Sequence, residues 1–400
     1  MPLYKYKAVS ASGENLEGTE TANSKIEILQ RLREKQYYPT AVEEVVEKDI
    51  RDIQLFGKIS IKHIAVFCRQ FYTMQNAGVT IVNTLDILSQ QVDHKKLKII
   101  IHELYEDVQK GYTFSEALEK HPHVFPQLMI YMVEAGEASG TMDTVMNRLA
   151  DHYEKEHKIN NKIKSAMVYP IILSIVAVAV VIFLLTVVMP TFLSMFEGSG
   201  VPLPIPTVIL LTISAALRDF WFVFLSIILL VMLGFRRLAA TPDGQRTIDR
   251  WKLRLPLVKG LTRKIVSARF TRTLSTLLVS GIPLLQSLES VAGAVGNTVV
   301  ADGILSTRED IRKGVALSTP IRKLGFFPPM VDNMIKIGEE SGTLDEILDK
   351  TANFFDEEVE TEIQRMLTFV EPMLIVIMGV VIGFIVISMV LPMFDVLQTV

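Results

Sequence analysis

The sequence predicts a mainly α fold: a tandem repeat of two cytoplasmic helical bundles with three transmembrane helices, plus a small N-terminal α/β module. Three observations lead there. One eight-residue string occurs twice, as GEASGTMD at 136–143 and GEESGTLD at 338–345. The likeness also extends far beyond that string. An offset of 203 pairs Phe67 with Phe270, Arg69 with Arg272, Gly78 with Gly281, Gly111 with Gly314 and Pro126 with Pro329. A one-residue slip to 202 then pairs Pro170 with Pro372 and Pro190 with Pro392, so two copies of one structural unit are expected. Finally, each copy runs into an uncharged apolar stretch, 168–189 and 372–394, and another, 220–235, lies between them.

Composition agrees. Of 400 residues, 49% are hydrophobic and 21% charged, as expected for soluble domains joined to a few spans. A formal charge of −3 gives no electrostatic case for nucleic acid as a partner. The single cysteine, Cys68, excludes an internal disulfide and fits a reducing compartment. The polar start MPLYKYKAVS lacks the apolar segment of a secretory leader, so the first span is expected to serve as its own insertion signal.

Residues 1–46 read as the α/β module. Tyr4–Val9 alternates like a strand, Leu16–Thr21 returns as a second, Ser24–Gln36 has helical spacing and Pro39–Val46 forms a third strand. Residues 47–58 are a charged linker. The first bundle, 59–167, opens with a helix over Ile61–Asn76 that places Ile64, Phe67, Phe71 and Met74 on one face. Gly78 ends it. Two further helices follow, the second stopping at Gly111, then a short helix over Ser115–Glu119 and a fifth from Pro126 to Glu134. In each repeated string the first Gly, Gly136 or Gly338, is expected to end an apolar helix before a Ser-Gly turn. Thr343 with Glu346 fits a capping box at the start of the next helix, and Thr141 fits the matching N-cap.

That next helix is long. From Thr141 to Met189 only Pro170 interrupts it, giving on the order of 70 Å if continuous. Its first half is charged and its second half, the span 168–190, is not. Residues 191–219 are expected to form an outer loop, with Val208–Leu217 either interfacial or extending the span at 220–235. The second bundle occupies 236–370 and the last span 371–394. Pro170 and Pro372 stand at the lipid entrance and are expected to kink each helix. Arg218 is the only Lys or Arg between Lys164 and Arg236, and none follows Arg365. By the positive-inside rule the bundles and N-terminus are cytoplasmic and the C-terminus is outside, in a bacterial inner membrane.

Catalytic signatures are absent. The chain has no phosphate-binding loop of the G-x-x-x-x-G-K-[ST] kind. Around His102 and Glu103 the second His of a zinc helix is missing, and His121 and His123 lie in a loop. The spans carry no acid pair. Several residues remain as candidate partner or coupling positions. Glu134, Glu137 and Asp143, with Glu339 and Asp345 in the second copy, flank the repeated turn. They serve either as caps for helix dipoles, or as a partner contact or divalent-cation site. Arg69 and Arg272 each lie beside the core face of a first helix, as structural ion pairs or coupling residues. Glu371, next to Pro372, is either functional within lipid or seated at headgroup level. The first copy has Tyr169 there.

These features together resemble the type II secretion system protein F family, over essentially the whole chain. The likeness rests on the small N-terminal module, the FCRQF start (67–71) with Gly78, the duplicated GE-x-SGT, the VPLPIPT string (201–207) and the Glu371-Pro372 span. Members include inner-membrane platform proteins of type II secretion and type IV pilus assembly. The resemblance implies a non-enzymatic, oligomeric protein without a cofactor. It would bind a cytoplasmic hexameric ATPase, pilin-like subunits, other inner-membrane components and lipid. The competing readings are a membrane anchor and a transporter subunit built from a duplicated half. Ser174, Thr186 and Ser388 are too sparse for a polar path.

Overall fold

The computed structural model describes residues 3–10, 15–21, 37–45, 59–194 and 204–399. Two compact units emerge, Met1–Lys58 and Ile59–Val400.

In the first unit, β1 (Leu3–Ser10) is the centre of an antiparallel sheet, flanked by β2 (Asn15–Thr21) and β3 (Tyr37–Val45). Ala8 pairs with Pro39 while Lys7 pairs with Ala41, so Thr40 is the extra residue of a bulge. An edge strand with a bulge is where a sheet tolerates proline, which has no N–H for the ladder. The third strand starts earlier than the sequence suggested, at Tyr37. The expected helix over Ser24–Gln36 and the linker 47–58 lie outside the described residues.

The second unit is helical. The first copy contains α1 (Ile61–Asn76), α2 (Ile81–Gln91), α3 (Lys95–Gln109), α4 (Phe114–Glu119), α5 (Gln127–Ser139) and α6 (Met142–Phe183). A π-turn (Leu184–Val188) and α7 (Met189–Ser194) extend α6. Between the copies lie α8 (Ile205–Asp219), α9 (Trp221–Ala240) and α10 (Pro242–Arg254). The second copy contains α11 (Pro256–Val279), α12 (Leu284–Ala294), α13 (Thr298–Arg312), α14 (Ser318–Leu324), α15 (Pro329–Ser341) and α16 (Leu344–Thr399).

Helical spacing creates the core. Ile64, Phe67, Cys68 and Phe71 bury one stripe of α1, and Phe71 stacks on Phe114 at 5.1 Å between ring centres. In the second copy Phe270 meets Phe327 at 4.8 Å. Each fully buried Phe contributes about 1.5–3 kcal/mol. One hydrophobic cluster runs from Ile64 to Phe355 and includes both copies. The bundles therefore pack as a single body.

Two expectations at the repeated string are corrected. Gly136 and Gly338 do not end helices. Each lies inside its helix, which continues to Ser139 or Ser341, and the left-handed terminators are Gly140 (φ 70) and Gly342 (φ 70). The string needs glycine at its first position for close approach: a Cβ at Gly338 would lie 2.8 Å from Leu344 Cα, and one at Gly136 3.0 Å from Val145 Cγ2. Neither expected cap forms. Thr343 Oγ1 pairs with Ser341 Oγ (2.7 Å) and Glu346 with Lys350 (2.7 Å), and in the first copy Thr141 Oγ1 pairs with Ser139 Oγ (2.7 Å). The short turn brings the two hydroxyls together and diverts the Thr from the helix start.

Among the described residues, three helices are long and apolar enough to cross a membrane, within 142–192, Trp221–Ala240 and 344–392. By residue count α6 extends about 63 Å and α16 about 84 Å. Both helices continue through Pro170 and Pro372. Residues 205–219, expected as part of an outer loop, instead form α8. Phe220 separates it from α9, so it does not simply extend that span.

Candidate functional site: the junction of bundles and spans

Within each copy, an arginine at the equivalent position fastens the first helix to the long helix. Arg69 on α1 forks onto α6: Nη2 lies 2.5 Å from Asp151, Nε 2.8 Å from Glu154, and Nη1 2.6 Å from Asn147 Oδ1. Its hydrogen bonds hold the Glu154 carboxyl below the usual range. At the equivalent place Arg272 on α11 pairs with Asp356 on α16. There, burial pushes the Asp356 carboxyl up and the pair's mutual attraction opposes it. The guanidinium itself stays protonated at physiological pH.

The repeated glutamates have a different task. Glu137 on α5 accepts hydrogen bonds from the backbone N–H groups of Phe114 (2.5 Å) and Ser115 (3.0 Å) and from Ser115 Oγ (2.5 Å). Glu339 accepts from the N–H groups of Leu317 (2.5 Å) and Ser318 (3.1 Å). Each carboxylate thus satisfies orphan donors at the start of the short helix in its own bundle. Asp143 and Asp345 occupy first turns, where they complement the helix dipole. Glu134 is exposed on α5. Among the described residues, no three His, Cys, Asp or Glu side chains gather into a metal-ligand set.

The long helices then run side by side. Lys155 Nζ donates to Asn353 Oδ1 (2.9 Å), Lys162 pairs with Glu360, and Tyr169 OH donates to Glu371 Oε1 (3.1 Å). The α6 partners stand seven residues apart, two turns of one helix face, and both chains advance in the same direction. Tyr169 and Glu371, equivalent positions in the repeat, therefore meet. His152 fills the seam beside α11. Burial, with Arg272, Lys155 and Arg269 nearby, lowers its pKa to about 3, and its Nδ1 has no partner among the described residues. Above it opens a cleft of about 480 Å³ bordered by Arg148, Lys155, Arg272, Asp345 and Asp349.

A second junction lies at the far ends of the spans, and sequence reading missed it. Pro190 and Pro392 have no N–H to give. In α16 that frees the carbonyl four residues back, at Ser388, and Thr207 Oγ1 on α8 donates to it (2.6 Å). In the first span, the π-turn would direct the missing N–H to the carbonyl five residues back, at Leu185, and Ser214 Oγ on α8 donates to that one (2.5 Å). Thr207 and Ser214 are seven apart on one buried face of α8. Leu185, Met189, Leu210 and Ile385 pack around them. One short helix therefore satisfies both proline-freed carbonyls, as backbone in an apolar medium requires. The available signal was two hydroxyls at helical spacing in an apolar run facing two span prolines. Thr186 and Ser174, by contrast, bond back to their own helix, at Ile182 O (2.8 Å) and Pro170 O (2.7 Å).

Fold and junctions define a class: a multi-pass helical membrane protein made of two bundle-plus-span units locked together. Comparison with known proteins supplies the family. "Type II secretion system (T2SS), protein F" matches residues 67–190 and again 270–392, and the N-terminal domain of the same protein F matches residues 1–43. The type IV pilus assembly protein PilC of Thermus thermophilus is 37% identical over 403 residues, covering 100% of this chain and 99% of its own. The PilC of Myxococcus xanthus is 37% identical over 394 residues, covering 98% of this chain and 94% of its own. The type II secretion system protein F of Xanthomonas campestris is 33% identical over 399 residues, covering 99% of this chain and 98% of its own. The chain belongs to the type II secretion system protein F family.

Proposed function

We propose that this protein is the inner-membrane platform of a type IV pilus or type II secretion machine, a structural rather than catalytic component. Its bundles and N-terminus face the cytoplasm and its C-terminus lies outside, following the asymmetry of Lys and Arg around the spans. The bundles engage a cytoplasmic hexameric ATPase. α6 and α16 carry the motion to pilin-like subunits in the membrane, with Pro170 and Pro372 as points of bending.

The single observation that carries this reading is the paired course of α6 and α16 out of one shared core. A force transducer needs rigid connections between a soluble body and its membrane helices. The ion pairs at Arg69 and Arg272 and the polar contacts from Lys155 to Tyr169 provide them. An anchor needs none of these.

The test is crosslinking of the full-length protein in cells, followed by mild solubilisation and mass spectrometry of bound partners. Recovery of a P-loop hexameric ATPase together with pilin-like subunits is the expected result. Recovery of neither, with the machine expressed, would overturn the proposal.

A further inference from the structure

Beside α10 lies a cleft of about 300 Å³ whose charged lining is all of one sign: Arg250 and Arg254 from α10, Lys259 and Arg263 from α11. Among the described residues, no acidic side chain lines it. Arg263 donates to the Gly325 carbonyl (2.5 Å), and among the described residues Arg250, Arg254 and Lys259 have no ion-pair partner. Next to these cations Trp251 is 63% exposed, and one turn on Leu255 is 46% exposed. The opposite face of α10 is fastened to the bundle: the Asp249 carboxylate accepts from Thr298 N (3.0 Å) and Thr298 Oγ1 (3.1 Å).

Chain geometry places this cleft at the membrane surface. Only Thr241 separates the spanning helix α9 from α10. Independently, α11 runs antiparallel to α16, as successive contacts show: Lys264 to Glu362 (2.7 Å), Arg272 to Asp356, and Ser275 Oγ to the Asp345 carbonyl (2.9 Å). From Lys264 back to Pro256 is about 12 Å of helix, and from Glu362 forward to Pro372 about 15 Å. The start of α11 is therefore level with the start of the apolar run. α11 also begins eight residues before Lys264, the counterpart of Ile61 where α1 begins, so this basic extension has no equivalent in α1.

We propose that the cleft binds the phosphate of an anionic phospholipid headgroup, with Trp251 and Leu255 seated at the interface beside the headgroup end of the acyl chains. The proposal goes beyond the platform reading and depends only on α9 and α16 crossing the membrane. Charge selects the ligand: a compact anion meets four cations, and the neighbouring aromatic and Leu suit an interface rather than water.

The test uses delipidated full-length protein in detergent, with native mass spectrometry of bound phosphatidylglycerol against phosphatidylcholine of identical chains. Phosphatidylglycerol is expected to be retained preferentially. Arg250→Gln, Arg254→Gln and Lys259→Gln together are expected to weaken it about 100-fold, at about fivefold per cation. Removing Lys96, Lys110 and Lys313, also exposed, is expected to leave retention unchanged. Excess inorganic phosphate is not expected to displace the lipid. Equal binding of both lipids, an unaffected triple variant, or full displacement by phosphate would each overturn the proposal. A second readout needs no cation variant. The chain has two tryptophans, so Trp221→Phe leaves Trp251 alone. Its fluorescence should be quenched by brominated phosphatidylglycerol in nanodiscs, and an unquenched, solvent-like emission would contradict the placement.

Discussion

In the first copy Arg69 is 35% exposed and faces three partners; in the second its counterpart Arg272 is 7% exposed and pairs with Asp356. The glutamates behave otherwise: Glu137 and Glu339 hold the same helix start in the same way. Positions that serve one copy alone have kept their chemistry. Positions at the seam between copies have diverged, as with His152 against Phe354 and Tyr169 against Glu371. The comparison teaches that the second half is no spare copy of the first. The halves have become complementary along the line where they meet.

The largest expected effect separates the two arginines. Arg272→Ala strands the Asp356 carboxylate in a buried site and should cost about 3–5 kcal/mol, whereas Arg69→Ala, with solvent to replace the lost partner, should cost about 1 kcal/mol. Chemical denaturation in detergent checks this, and equal losses would erase the distinction between seam and surface. Next come the close-approach glycines. Gly338→Ala presses a methyl against the Leu344 backbone, and Gly136→Ala against a Val145 side chain that can shift. Overpacking of this kind costs about 1–3 kcal/mol, with the larger value expected at Gly338. Thermal melting of the two variants would decide.

At the far junction, Thr207→Val and Ser214→Ala each leave a proline-freed carbonyl without its donor. About 1 kcal/mol each is expected, read by the rate of proteolysis on either side of α8. Smallest at neutral pH is His152→Phe, which installs the second copy's residue in the first. Burial sets the folded pKa of His152 near 3, below the ordinary 6.5, so the unfolded chain takes the proton first. The stability associated with the neutral ring is complete above about 6.5 and is lost as pH falls toward about 3. The variant should lose that part of the acid sensitivity. Parallel melting curves across this window would show that the ring does not titrate on unfolding.

Much of this was legible in the sequence because the repeat is a local pattern. α1 has the predicted bounds, Ile61–Asn76, since its apolar spacing and Gly78 act within one helix. The Arg69 and Arg272 ion pairs follow from placing a charge beside a core face. Glu137 and Glu339 cap a helix start, as one reading of the sequence had it, but not that of the helix they flank, because their partners lie 22 residues back on another helix. The sequence leaves α8 between an outer loop, an interfacial segment and an extension of the next span, because its stabilising contacts are tertiary: two hydroxyls answering prolines in helices that only the fold brings together. The Thr caps failed through a competing local bond to the preceding Ser.

The rigid link between bundles and spans is the central claim, and Asn160 is where to test it. It lies on α6 between the Lys155 and Lys162 contacts, and its side-chain oxygen accepts from Arg269 (3.2 Å). A short Gly-Ser insertion there would release the first span from its bundle while leaving both in place. Pilus or pseudopilus assembly should be abolished at normal membrane levels of protein. Assembly at wild-type efficiency would contradict the account and leave the protein as an anchor.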